Sequence, residues 1–294
     1  MQLPKFKYFA PETLDEAFSL LQELGEEARI LAGGTDLLVN MKQRAIEPMP
    51  KYIINIKKLR ELQYLQTDAD GGLRLGALAN IQEIKFFLPI RQRFPGLGQA
   101  AGILSTPQVR NIATIGGNLC NASPAAETAP VLNTLSARVK ILSKDQERIV
   151  PLEEFFLGPG KTVLRSDEIL GEIQVPEPPP NSASVYLKHG KRLSDIAIVG
   201  VALTITMNGN TCSDAKIALA SAAPTPMRVQ KAEALMIGQE INQKHIEEVG
   251  KTVSEESRPI DDVRAYAVYR REKAGLLAKE AIKQALQQIR LGGS

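Results

Sequence analysis

Two paired-glycine segments, Leu31-Ala-Gly-Gly-Thr-Asp36 and Thr114-Ile-Gly-Gly-Asn118, carry residue types suited to holding an anion. A glycine turn brings backbone N–H groups to a ligand with no Cβ in the way. Each segment follows an apolar, β-compatible stretch and ends in a small polar residue. Thr35 adds a hydroxyl donor to the first. Thr114 and Asn118 bracket the second, and asparagine tolerates left-handed backbone. Taken alone, the first segment also reads as an ordinary strand-to-helix turn. Together the two point to one extended, phosphate-bearing ligand gripped from both sides. Neither has the G-x-G-x-x-G spacing of a doubly wound dinucleotide site.

The remaining chemistry-bearing residues are few. Glu127 stands among small residues and reads either as an acceptor for ribose or ribityl hydroxyls or as a surface carboxylate or cap. Two cysteines, Cys120 and Cys212, are too few for an iron–sulfur cluster. Two histidines, His189 and His245, make a histidine-built metal site improbable. A net charge of +3 over 294 residues, with no basic run interleaved with aromatics, argues against nucleic acid. No signal-peptide pattern or bilayer-length apolar run is visible, so a cytoplasmic protein without membrane insertion is expected.

These residues need elements to position them. Thr13-Leu-Asp-Glu16 is a capping-box pattern, followed by Leu14, Ala17, Phe18 and Leu21 on one helical face. Strands are predicted at Ala28–Leu31, Tyr52–Ile56 and Leu73–Gly76, with a helix from Asn80 to about Phe87. Phe94-Pro-Gly should break the pattern before Leu97–Leu104. Val139–Leu142 and Arg148–Val150 form a hairpin, and Ile169–Val175 a closing strand. Pro176-Glu-Pro-Pro-Pro-Asn-Ser182 excludes helix and central strand, and marks a linker. Beyond it, Ala197–Met207 and Lys216–Ala220 pair around Asn208-Gly209, a type I′ hairpin signal. Tyr266–Ile289 is an amphipathic helix. The fold class is α+β, with one domain at residues 1–176, in subdomains of about 1–56 and 57–176, and a smaller one at 183–290.

The runs Ala32–Asp36, Thr114–Pro124 and Lys188-His-Gly-Lys-Arg-Leu-Ser-Asp-Ile-Ala197 resemble those of the FAD-binding medium subunit of molybdenum hydroxylases, which include the xanthine, carbon monoxide and nicotinate dehydrogenases. Ile217–Arg228 and Asp261–Arg271 extend the resemblance over nearly the whole chain. It implies a vanillyl-alcohol-oxidase-type FAD site and a CO dehydrogenase flavoprotein-type C-terminal domain. The pyrophosphate would lie between Leu31, Ala32, Gly33, Gly34, Thr35, Asp36 and Leu37 on one side and Thr114, Ile115, Gly116, Gly117 and Asn118 on the other.

By the same resemblance, Glu127 takes the acidic sugar-contacting position, often Asp in the family. Leu170 lies near the isoalloxazine, Lys188 at its pyrimidine end, and Leu104 where some relatives place an aromatic. A cation there would stabilise reduced flavin; read without the resemblance, Lys188 is a solvated lysine in a basic segment. Tyr186 either shields the flavin face or packs in the core. No residue of the chain is assigned as catalytic or metal-binding. FAD is the expected cofactor on this chain, with the molybdenum cofactor on a large partner and [2Fe–2S] clusters on a small one, in a dimer of heterotrimers. The implied role is transfer of electrons to NAD, oxygen, a quinone or another acceptor. The rival readings are a self-contained flavin reductase of the enolpyruvyl sugar-nucleotide type and a scaffold subunit without flavin.

Overall fold

A computed structural model describes residues 2–192 and 194–292, so Leu193 of the quoted 188–197 run lies outside it. Three sheets follow one another along the chain. The first is parallel, with strands β1 (Lys7–Phe9), β2 (Ala28–Leu31) and β3 (Tyr52–Asn55) in the order β1-β3-β2. Parallel neighbours need crossover connections, and helices Leu14–Leu24 and Leu37–Gln43 supply them. Ala17, Phe18 and Leu21 bury the predicted face in one cluster with Ile54 and Ile56. Thr13 caps that helix by accepting the Glu16 amide, but Glu16 reaches back to the amide of Glu12 rather than that of Thr13.

The second sheet is antiparallel: β4 (Leu65–Thr67), β5 (Leu73–Gly76), β6 (Arg138–Leu142), β7 (Glu147–Pro151) and β10 (Ile169–Val175), in the order β4-β5-β10-β6-β7. A small hairpin of β8 (Phe156–Gly158) and β9 (Lys161–Thr162) stands apart. Strand β10, expected to close the sheet, is its centre, and that explains its nearly unbroken burial. Short helices between 81 and 134 cover the sheet, and the largest apolar core lies between them. Two expectations change here. Phe94-Pro-Gly opens helix Pro95–Ile103 instead of breaking it, with proline in the first turn where its missing N–H costs nothing. The second glycine segment is not a loop but helix Ile115–Cys120.

After residues 176–181, which join no helix or strand, the third sheet runs β11 (Ser182–His189), β12 (Val199–Asn208), β13 (Thr211–Ala220) and β14 (Met227–Arg228). Asn208 pairs with Thr211, so the turn residues are Gly209 and Asn210, and of these Gly209 has positive φ, at 59°. That is the glycine-first pattern of a II′ turn rather than I′. Helices Gln243–Glu256 and Ala267–Gly292 pack on one face of this sheet and form a second core. The other face meets the first core through Tyr186 and Ala202. Among the described residues, no helix is long and apolar enough to cross a membrane.

Candidate functional site

Strand β2 delivers the first glycine turn to the backbone of Ile112 and Ala113. Gly34 has φ of 77°, a conformation L side chains rarely adopt, and its carbonyl accepts the Leu38 amide at 3.2 Å. Among the described residues, the amides of Gly33, Gly34, Thr35 and Asp36 have no acceptor within the protein. Four successive unpaired donors are the kind of backbone arrangement that can receive an anion. Leu31 is buried at the strand end, where its carbonyl takes the Ile56 amide. Leu37 packs beside it from the next helix.

The second segment packs directly against the first. A Cβ at Gly33 would stand 2.5 Å from the Ile112 carbonyl oxygen and 2.9 Å from Ala113 Cα, and one at Gly117 would stand 4.0 Å from Ala32 Cβ. The two segments nevertheless work differently. Ile115 and Gly116 donate to the carbonyls of Ala79 and Ala77, Gly117 to the Thr114 hydroxyl, and Asn118 to the Thr114 carbonyl. Their amides are occupied. Gly116 lets the helix lie flat on Ala77, which donates in turn to Gly171 in β10. Asn118 Oδ1 accepts from Thr128 at the start of helix Thr128–Thr134.

Glu127 and Lys188 are neither surface carboxylate nor solvated lysine. Lys188 Nζ lies 3.2 Å from Glu127 Oε1, 2.8 Å from the Ile103 carbonyl oxygen and 3.0 Å from that of Asp195. The side chains are 2% and 9% exposed. Burial pushes the Glu127 carboxyl above the usual carboxylate range; Lys188 opposes that shift, and the charge of Asp36, on the exposed rim, adds to it. Lys188 thus ties three places together: the end of helix Pro95–Ile103, Asp195 and Glu127. Leu104, directly after that helix, and Leu170, beside the bulge at Gly171, are buried in the same core.

Several residues that hold this arrangement carried no assignment from sequence. Gln99 Oε1 accepts the Tyr186 amide at 2.8 Å, and Ser184 Oγ accepts the Gly96 amide at 3.0 Å, locking β11 to helix Pro95–Ile103. Buried Arg110 donates to the carbonyls of Leu104 and Ser105 and to Gln82. A polar residue at one helical position in a run of small ones was the available signal for Gln99. Tyr186 is buried, its hydroxyl has no partner, and a Cβ at Gly200 would collide with it. His189, which nothing in the sequence orients, is held by the Tyr269 hydroxyl at 2.8 Å. Burial pushes the Cys120 thiol up to about 12, so it is not a thiolate at neutral pH.

Comparison with known proteins bears on both halves of the chain. The family model described as "FAD binding domain in molybdopterin dehydrogenase" matches residues 4–178, and "CO dehydrogenase flavoprotein C-terminal domain" matches residues 184–285. The glyceraldehyde dehydrogenase medium chain of Sulfolobus acidocaldarius is 34% identical, over 97% of this chain and 99% of its own. The carbon monoxide dehydrogenase medium chain of Hydrogenophaga pseudoflava is 30% identical, over 96% and 97%. A solved structure of carbon monoxide dehydrogenase from Hydrogenophaga pseudoflava superposes with a TM-score of 0.94 at 31% identity, covering 98% of this chain and 99% of that one. The chain therefore belongs to the FAD-binding medium-subunit family of the molybdenum hydroxylases, as an oxidoreductase flavoprotein subunit.

Proposed function

We propose that this chain receives electrons from [2Fe–2S] clusters of a small partner subunit and passes them, through its FAD, to an external acceptor. Substrate oxidation would take place at a molybdenum cofactor on a large partner, in a dimer of heterotrimers. FAD, when bound, supplies a carrier that accepts single electrons and releases a pair. The observation that carries this reading is the row of unpaired amides at Gly33–Asp36, set against the Ile112–Asn118 segment.

The residues present fit the group. The Gly33–Asp36 amides would hold its pyrophosphate, and the bare Cα atoms of Gly33 and Gly117 would let the two segments close on each other behind it. Glu127 would accept hydrogen bonds from sugar hydroxyls, and Lys188 would set a positive charge beside the ring. Leu104 and Leu170 would exclude water from it. The remaining residues of 31–37 and 114–118 act by fixing these positions. None of them has to move a proton. The match of residues 184–285 to the CO dehydrogenase flavoprotein domain favours this reading over a self-contained reductase. In domain terms, residues 1–176 would be the FAD-binding part and 183–290 the flavoprotein C-terminal part.

The test is to purify the chain alone and together with its co-expressed partners. The chain alone should be yellow, release FAD on denaturation and contain no iron. The complex should bleach its flavin absorbance when the organic substrate is added without acceptor. A colourless chain that takes up no FAD on reconstitution would overturn the reading, as would stoichiometric iron in the isolated chain.

A further inference from the structure

A cleft of about 680 Å³ is bounded by helix Pro95–Ile103, by residues 186–188 of β11, and by Lys85 and Arg91. Its lining residues include Lys85, Arg91 and Lys188 and no aspartate or glutamate. Lys188 is engaged by Glu127. Among the described residues, Lys85 and Arg91 have no carboxylate partner. The stem of Lys85 crosses Gly102, with Cε 3.7 Å from where a Cβ would stand, while its ammonium lies 5.0 Å from the centre of the Phe86 ring.

The floor of the cleft is unusual for a helix. Gly98 and Gly102 are four residues apart on one face, and each has room for a Cβ in ordinary contact. Packing does not demand glycine at either position, although glycine weakens a helix. The effect is an open floor. Gln99 lies between them, and because its Oε1 already accepts the Tyr186 amide, its two N–H donors are available to a ligand. The volume falls within the usual range for small-molecule sites. Arginine offers a planar fork that matches a phosphate, with lysine as a point charge beside it.

We propose that this cleft is a second ligand site, for a phosphate-bearing small molecule of nucleotide size. Its phosphates face Lys85 and Arg91, and its remainder lies on the Gly98–Gly102 floor against Gln99. The site adjoins the Glu127–Lys188 pair, because Lys188 is among its lining residues and its Nζ lies 3.2 Å from Glu127 Oε1.

The test uses the full-length protein with its FAD in place, titrated calorimetrically with ADP, with inorganic phosphate and with a polyglutamate peptide. Bound flavin is followed by absorbance in the same samples. ADP should bind once per chain, at least tenfold more tightly than phosphate, and without releasing FAD. Lys85→Gln with Arg91→Gln should weaken ADP at least tenfold at unchanged flavin content and unfolding temperature. Gly102→Leu, which fills the floor, should do the same. ADP binding that survives the double substitution, or that displaces FAD, would overturn the proposal. So would absence of binding, equal affinity for ADP and phosphate, or tighter binding of polyglutamate, the mark of an acidic protein surface as occupant.

Discussion

The Glu127–Lys188 pair is where single residues most affect both stability and the site. Removing one member of a buried ion pair leaves the other charge without compensation, at a cost of about 3–5 kcal/mol. Lys188→Met should lower stability by that order in urea unfolding, and Lys188→Met with Glu127→Gln should recover most of the loss. The pair also has a pH signature. Burial holds the Glu127 carboxyl above its unfolded value, so the native state binds that proton more tightly than the unfolded chain does. Its contribution favours the fold at low pH and declines as pH rises from the unfolded value through the folded one. The stability of wild type minus that of Glu127→Gln should therefore fall as pH rises above the ordinary carboxylate range. A flat difference across that window would mean that Glu127 is not buried as described. The glycines are less discriminating probes. Any side chain at Gly33 strikes the backbone of Ile112–Ala113, so folding and cofactor binding would be lost together.

Elements set by local chemistry were legible in the sequence, and those set by tertiary packing were not. Asn80 and Glu83 form the reciprocal cap expected of their spacing, and β6 and β7 pair as the apolar pattern requires. Ile115–Cys120 failed the same reading because two adjacent glycines each weaken a helix by roughly 1 kcal/mol. What overrides them is contact: Gly116 must lie flat on Ala77, and Thr114 caps the turn. The first glycine turn was legible as a tight turn because its geometry is local. The burial of Lys188 was not, because its partners come from residues 103, 127 and 195. The Asp262 turn before the last helix shows the opposite pH behaviour to Glu127. Burial would raise its carboxyl, but the Arg270 guanidinium and the amides of Arg264 and Ala265 hold it down at about 2. That stabilisation is present above the unfolded value and is lost as pH falls through the folded one. Asp262→Asn should be less stable than wild type at neutral pH, with the deficit in unfolding temperature shrinking as pH falls toward 2.

Across the whole molecule, the site cannot be assigned to the FAD-binding region alone. Lys188 sits on β11, beyond the proline-rich connection, yet its ammonium contacts Ile103 and Glu127. Ser221 donates its amide to Pro124 at 2.7 Å, next to the small-residue run that carries Glu127. Tyr186 inserts into the first core from the third sheet. The C-terminal part therefore forms one wall of the candidate flavin pocket, and the fragment 1–178 should lack that wall. Ligand bound only to the native state stabilises it by RT ln(1 + [L]/Kd), about 2.7 kcal/mol when FAD is at one hundred times Kd. Full-length protein should show an increment of that size on reconstitution, read as a rise in unfolding temperature. The fragment should bind FAD at least tenfold more weakly and show a correspondingly smaller rise at the same FAD concentration. If the fragment matched the full chain, the pyrophosphate turn alone would account for affinity, and the Lys188 wall would have to act on the flavin's chemistry instead of its binding.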